Sequence, residues 1–539
     1  MEKRSVDSNK FLSLSRCDSD EDMLYPIGIQ NFEKLRKGGY TYVDKTAVIH
    51  RLVSSGTCYF LSRPRRFGKS LLLSTLESYL KGEKELFRGL AIESLEKDWK
   101  ECPVLHLDLS GVTYTDHKRL EEKLCYHLDI WAKEYGVESR YNSPDIRFSA
   151  LIDDVYNKTG RKVAVLVDEY DKPLIDNLPN KDVHDQCKEM LQGFYGVLKL
   201  MDGKICFAFL AGVSKIGKMN VFSALNNLHD ISMDPEYSAI CGITEYELHK
   251  YFADGVSELA AANNLSIEQC YEKLKEMYDG YHFSESAVGV YNPFSLLSAF
   301  RSKRFNDYWF ETGTPTLLVN VMKQTSFDIT SLSDRIFAMD YVLDGNQDIS
   351  FKPVPLFFQT GYLTIKGYDP EYREYRLGFP NDEVKNGFLN FIYSDYIPGG
   401  QFKDTTVTAT LARAIKSGEP DEFMKTLEAL FAGTTYQIQG DAEKDFQYAM
   451  YIIIELLGEY VQAEYATSNG RIDLLIQTKD YIYIIELKVD SSPEIALGQI
   501  EEKGYAKPFA SDSRKLFSIG INFASRTRRI ESWKIIERI

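Results

Sequence analysis

The chain of 539 residues contains no run of eighteen or more apolar residues and no charged-then-apolar leader. Neither a membrane span nor a secretion signal is therefore expected, and the expected location is the cytoplasm. Its eight cysteines form no CxxC pair, and several lie in apolar runs, where free buried thiols are the default. Histidine stops at His282 and cysteine at Cys270, so the whole second half offers neither imidazole nor thiolate. A metal held there must rest on oxygen, which favours Mg²⁺ or Mn²⁺ over Zn²⁺ and excludes an HNH-type site in that region. Basic charge is also short: the net charge of −15 excludes a protein that coats nucleic acid by bulk electrostatics. A nucleic-acid site has to be local, and the two basic clusters on offer are Arg63, Arg65, Arg66 with Lys69, and Arg526, Arg528 with Arg529. What remains is an ordinary globular composition, 44% hydrophobic and 27% charged, long enough for three or four domains.

In the first half, the apolar run 58–62 is followed by Arg63-Pro-Arg-Arg-Phe-Gly-Lys-Ser70 and then by leucines at helical spacing to Leu80. Strand, turn and helix in that order is the context of a phosphate-binding loop, whose amides meet phosphate at a helix N-terminus. Lys69 would reach the β and γ groups and the Ser70 hydroxyl would hold Mg²⁺. The consensus first glycine is Arg63 here, so the loop pattern is incomplete. A partner strand, Val163-Ala-Val-Leu-Val167, is of the buried parallel kind and ends in Asp168-Glu169. Asp168 would bind the Mg²⁺ through water, and Glu169 would polarise the hydrolytic water. A third strand, 205–210, runs into Gly212-Val-Ser-Lys215, where Ser214 is placed to sense the γ-phosphate. A fourth, 103–108, fits between.

Near the C-terminus a glycine-arginine turn delivers Asp473, and the apolar strand 481–488 carries Glu486 and Lys488. Period-2 alternation puts positions 486 and 488 on one face. Two carboxylates and a lysine in one place suit a divalent cation and an activated water beside a phosphodiester. A third carboxylate would come from Glu464 on the preceding strand or from Glu455 on a helix spanning 443–458.

These C-terminal residues, with Gln499 and Tyr505 on a following helix, resemble the PD-(D/E)xK nuclease superfamily. The resemblance implies Asp473 and Glu486 as metal ligands and Lys488 as the residue that orients the water. The first half resembles the bacterial AAA-ATPase-like domain commonly fused to such a nuclease. It does so at Tyr42-Val-Asp-Lys-Thr46, Leu61 to Ser70, Val167-Asp-Glu-Tyr-Asp-Lys-Pro173, Gly212 to Lys215 and Phe222 to Asn227. In that family Arg-Pro-Arg-Arg-Phe-Gly-Lys-Ser is the usual loop, so Arg63, Arg65, Arg66, Phe67 and Gly68 join Lys69 and Ser70 as expected nucleotide contacts.

The expected architecture is multidomain α/β. It comprises a mobile tail at 1–24, a P-loop ATPase with a parallel sheet and helices on both faces at 25–243, and a helical lid at 244–320. A winged-helix-like module, a helix with a two-stranded wing, follows at 321–435, and a restriction-endonuclease-like α/β/α domain at 436–539. The expected function is Mg²⁺-dependent nucleic-acid cleavage, of DNA or RNA, gated by ATP, in a homo-oligomer. The alternative is a nucleotide-switched assembly NTPase whose C-terminal domain binds nucleic acid without cutting.

Overall fold

The computed structural model describes residues 24–538 except 139–140, 217, 223–224, 226, 286–287, 311–315, 326, 328–331, 333–335, 344–352, 397–404, 433–449, 454, 457–459, 468–469 and 528. The tail expected at 1–24 falls almost wholly outside these residues, as does most of the helix expected at 443–458.

Five parallel strands form the first sheet: β1 (Cys58–Ser62), β2 (Val104–Asp108), β3 (Val163–Asp168), β4 (Ile205–Gly212) and β5 (His229–Asp230). Their order is β2-β3-β4-β1-β5. Strands β1 and β3 are buried at every position, as parallel strands covered on both faces must be. The strand at 103–108 takes the sheet edge rather than a place between the others, and its register sets Asp108 beside Asp168. Helix α1 (Lys69–Leu80) packs across β2, β3 and β4. Helices His117–Tyr135, Pro144–Thr159 and Lys181–Leu200 pack on one another, with the first two reaching β2 and β3.

The next unit is helical: Glu245–Tyr251, Ala253–Ala262, Ile267–Tyr278 and α2 (Pro293–Ser302), tied by the short pair β6 (Ile243–Thr244) and β7 (Val290–Tyr291). Thr244 with Glu247 and Ser266 with Gln269 form reciprocal capping boxes, which satisfy the free amides at two helix starts. The unit has its own apolar cluster around Leu248, Phe252, Leu274 and Phe300. Lys45 reaches across to Glu247 at 2.6 Å, while Asp44 accepts from Thr46 and from the amide of Ala91. The Tyr42-Val-Asp-Lys-Thr46 motif therefore ties the helical unit to the segment at Ala91, which leads into β2.

In the middle, helix Pro353–Thr360 lies between β8 (Ile336–Met339) and β9 (Thr364–Asp369), which with β10 (Glu374–Gly378) form an antiparallel sheet in the order β8-β10-β9. The expected wing had two strands. The third comes from Ile-Phe-Ala-Met, whose alternating burial pairs it with the free edge of β10. Helix α3 (Asp382–Tyr396) follows.

The last sheet runs β11 (Tyr460–Thr467), β12 (Gly470–Gln477), β13 (Tyr481–Val489), β14 (Lys515–Ala524), β15 (Arg529–Arg538) in spatial order. Only β13 and β14 are parallel, and helix α4 (Pro493–Glu502) makes their crossover. Gly520 lies under that helix: a Cβ there would collide with the Pro493 carbonyl, so a side chain would push α4 off the sheet.

Candidate nucleotide cleft and metal site

Strand β1 ends at Ser62, and the chain turns through Arg66 (φ 69°) and Gly68 (φ 92°) before entering α1. Left-handed backbone at Gly68 is unstrained only without a Cβ, which explains a glycine at the helix cap. The turn opens on a cleft of about 570 Å³, within the range of small-molecule sites. Arg65, Arg66, Gly68, Lys69, Ser70 and Glu169 line it. Pro26 to Gln30, Phe294 and Leu297 wall it from the helical side, Leu356 and Tyr362 from the middle unit, and Trp309 from the segment that joins them. The Lys69 ammonium is nearly buried and donates to the carbonyls of Arg63 and Pro64 at 2.9 and 3.0 Å. Glu169 is held at φ 52°, beside a buried Asp168 that accepts its amide. Burial pushes the Glu169 carboxyl up, against Lys69, with Asp171 and Asp168 adding to the rise.

Three expected contacts are corrected. Arg63 points into the protein, 1% exposed, and donates to the carbonyls of Ser62, Ser232 and Tyr237 while stacking on Phe283. Burial pulls its guanidinium down to about 10. It pins β1 to the segment after β5 and offers nothing to phosphate. The Phe67 ring is buried edge-on to Tyr281 and Phe283, so only its backbone belongs to the turn. Ser214 is fully buried and its hydroxyl donates to Asp171 at 2.7 Å. Asp171 also accepts the amides of Val213 and Ser214, so this pair braces β4 against the end of β3 instead of sensing phosphate.

At the other end of the chain, Asp473 lies within β12 rather than in a turn and accepts the Leu487 amide at 2.8 Å. Glu486 is 1% exposed. One of its carboxylate oxygens meets Lys488 Nζ at 3.3 Å and the Gln499 amide from α4. The other is buried without a hydrogen-bond partner. Burial first, and then the Asp473 charge, push the Glu486 carboxyl up to about 7, against the pull of Lys488. A buried carboxylate oxygen with no donor costs free energy unless a cation or a proton takes it up. The all-oxygen donor set suits Mg²⁺ or Mn²⁺. Glu455 is not available as a third carboxylate here, being buried in an ion pair with Lys385. Glu464 stands on β11, and its side chain lies outside the described residues. Tyr505 falls in the turn after α4 and packs in the apolar cluster with Ile472, Ile484 and Ile500.

Residues 26–222 match the family model described as a predicted AAA-ATPase, and residues 441–533 match the PD-(D/E)XK nuclease superfamily. A protein of Azotobacter chroococcum mcd 1, described as "Uncharacterized protein in vnfD 5'region", is 36% identical over 522 residues, covering 94% of this chain and 97% of that one. The chain belongs to this family of AAA-ATPase-like proteins with a C-terminal PD-(D/E)XK domain. Beyond the matched residues 26–222, sequence reasoning missed Trp309 and Gln359. Trp309 Nε1 donates to the Arg65 carbonyl at 3.1 Å, and Gln359 accepts the Lys215 amide at 2.7 Å. Tyr308-Trp-Phe310 is an aromatic turn in the sequence, but nothing in its own pattern names the phosphate loop as its destination. Among the described residues no helix is long and apolar enough to cross a membrane.

Proposed function

We propose that the chain is an ATP-binding, Mg²⁺-dependent nuclease in which the AAA-ATPase-like domain gates access of nucleic acid to the C-terminal site. The observation that carries the nuclease reading is the partnerless, buried Glu486 oxygen beside Asp473 and Lys488. Asp473 and Glu486 would hold the cation, which when bound polarises the scissile phosphate and acidifies a water. Lys488 orients that water and neutralises charge developing on the phosphate, while Gln499 holds Glu486 in its rotamer. In the cleft, the amides at the start of α1 and the Lys69 ammonium take phosphate, Ser70 and Asp168 serve the cation, and Glu169 directs the hydrolytic water. Nucleotide binding has a direct route to the rest of the chain, because Trp309 touches the loop at Arg65 and Gln359 of the middle unit touches the segment after β4 at Lys215.

The deciding experiment is cleavage of single- and double-stranded DNA and RNA by the purified full chain with Mg²⁺, with and without ATP. Wild-type cleavage that depends on Mg²⁺, disappears in Glu486→Ala and changes with ATP is the expected result. ATP turnover without cleavage of any substrate overturns the nuclease half and leaves a nucleotide-switched binder. Cleavage indifferent to ATP overturns the gating.

A further inference from the structure

Glu383 is the second residue of α3, lies in the middle of the chain and has no solvent exposure. One carboxyl oxygen accepts the Ser295 hydroxyl at 2.9 Å and the Trp309 amide at 2.7 Å, and the other is buried without a partner. A buried acid with half its capacity unmet is costly where an apolar side chain would pack, so its presence calls for a reason. The reason lies with its two partners. Ser295 follows Phe294, whose ring carries the Arg66 guanidinium at 4.9 Å. Trp309 donates through Nε1 to the Arg65 carbonyl. Phe294, Trp309, Arg65 and Arg66 all line the nucleotide cleft. One carboxyl group thus ties together the two walls against which the two loop arginines are seated.

We infer that Glu383 is a positioning residue for the phosphate loop: gripping Ser295 and Trp309 together, it fixes the conformation of the turn that presents Arg65 and Arg66 to nucleotide. This rests on the reading that the cleft takes ATP. The seat is reinforced on the same turn of α3, where Asn381 caps the helix through the Val384 amide and donates to the Asp279 carbonyl at 2.7 Å. Burial pushes the Glu383 carboxyl up to about 8, so at neutral pH it is a neutral acid able to accept on one oxygen and donate from the other. Glutamine has that same donor and acceptor pattern, whereas alanine has neither.

The test uses the full chain, with Glu383→Ala, Glu383→Gln and Ser295→Ala, and two readouts. Without nucleotide, amide hydrogen exchange of the peptide covering residues 63–70 should quicken at least fivefold in Glu383→Ala and return to the wild-type rate in Glu383→Gln. Strands β11 to β15 should exchange unchanged. With Mg·ATP, calorimetry should show about tenfold weaker binding for Glu383→Ala, restored by Glu383→Gln. Should Glu383→Ala not fold, Ser295→Ala decides: loop exchange must still quicken, and an unchanged rate overturns the inference. A folded Glu383→Ala with wild-type loop exchange and wild-type ATP affinity likewise overturns it. Quickened loop exchange in a protein whose wild type binds no ATP supports Glu383 as the loop's support and refutes the nucleotide reading instead.

Discussion

Replacing Lys69 by methionine keeps the hydrocarbon stem and deletes the ammonium. In the structure that ammonium is not idle: it donates to the carbonyls of Arg63 and Pro64 and is 6% exposed. Phosphate binding therefore exchanges partners rather than creating bonds from nothing. A charged hydrogen bond contributes on the order of 1.5 to 3 kcal/mol, or roughly 10- to 150-fold in affinity, and the exchange places the expected loss at the lower end, about tenfold. The same deletion leaves two loop carbonyls without this donor, at about 1 to 3 kcal/mol for a buried group, so the empty loop should also loosen. Titration calorimetry with Mg·ATP and with AMP separates the two effects. On the proposal that the lysine meets the β and γ groups, ATP affinity should fall about tenfold while AMP affinity holds. Equal losses for both nucleotides would mean that the variant had only damaged the loop. No loss for either would refute the assignment of the cleft.

Glu169→Gln should bind ATP as the wild type does and lose hydrolysis by roughly 10²- to 10⁴-fold, as expected for removing a general base, and turnover equal to wild type in a phosphate-release assay removes Glu169 from the mechanism. Asp473→Asn and Glu486→Ala should each abolish Mg²⁺- or Mn²⁺-supported cleavage while leaving ATP turnover intact, and Ca²⁺ should inhibit the wild type; cleavage that survives exhaustive chelation refutes the metal assignment. Gly68→Ala forces a side chain into φ 92°, so it should cost about 1 to 2 kcal/mol in the urea midpoint even though no atom blocks the Cβ. Glu383 titrates inside the protein at about 8 against an ordinary 4.5, raised by burial and by Asp307, with Tyr278 and Tyr281 also facing it. A carboxyl raised on folding contributes stability that is complete below pH 4.5 and is lost as pH climbs through 8, by up to roughly 4 to 5 kcal/mol. Glu383→Gln should therefore gain on the wild type in urea unfolding between pH 5 and 8.5; parallel curves for the two proteins refute the buried neutral acid.

Elements whose evidence is local were legible. Alternation along Tyr481 to Lys488 brings Glu486 and Lys488 within 3.3 Å, and apolar runs ending in a lysine turn or an acidic pair give β1 and β3 on either side of β4 in one parallel sheet. The destination of a side chain at a tight turn was not legible. Arg63 reads as one more cation beside Arg65 and Arg66, yet its acceptors are carbonyls at Ser232 and Tyr237, far along the chain. Ser214 follows a strand end, as phosphate sensors do, and what claims its hydroxyl is Asp171, itself read only as part of the Val167 to Pro173 motif. Both errors share a cause: burial of a polar group is decided by partners that come from other elements, and no periodicity encodes them. Glu383 and Trp309 are the converse case, ordinary in their own segments and consequential only where three units of the chain converge.

The first turn of α3 is held from two directions. Glu383 grips Ser295 and Trp309, and Lys385, two residues on, is paired with Glu455 just ahead of β11. Residues two apart on an α-helix point about 200° from each other. The helix is thus clamped like a shaft between opposed jaws, and it cannot roll about its axis without releasing one of them. A twist that began at the phosphate loop would have to break one of these two grips before it could pass along α3.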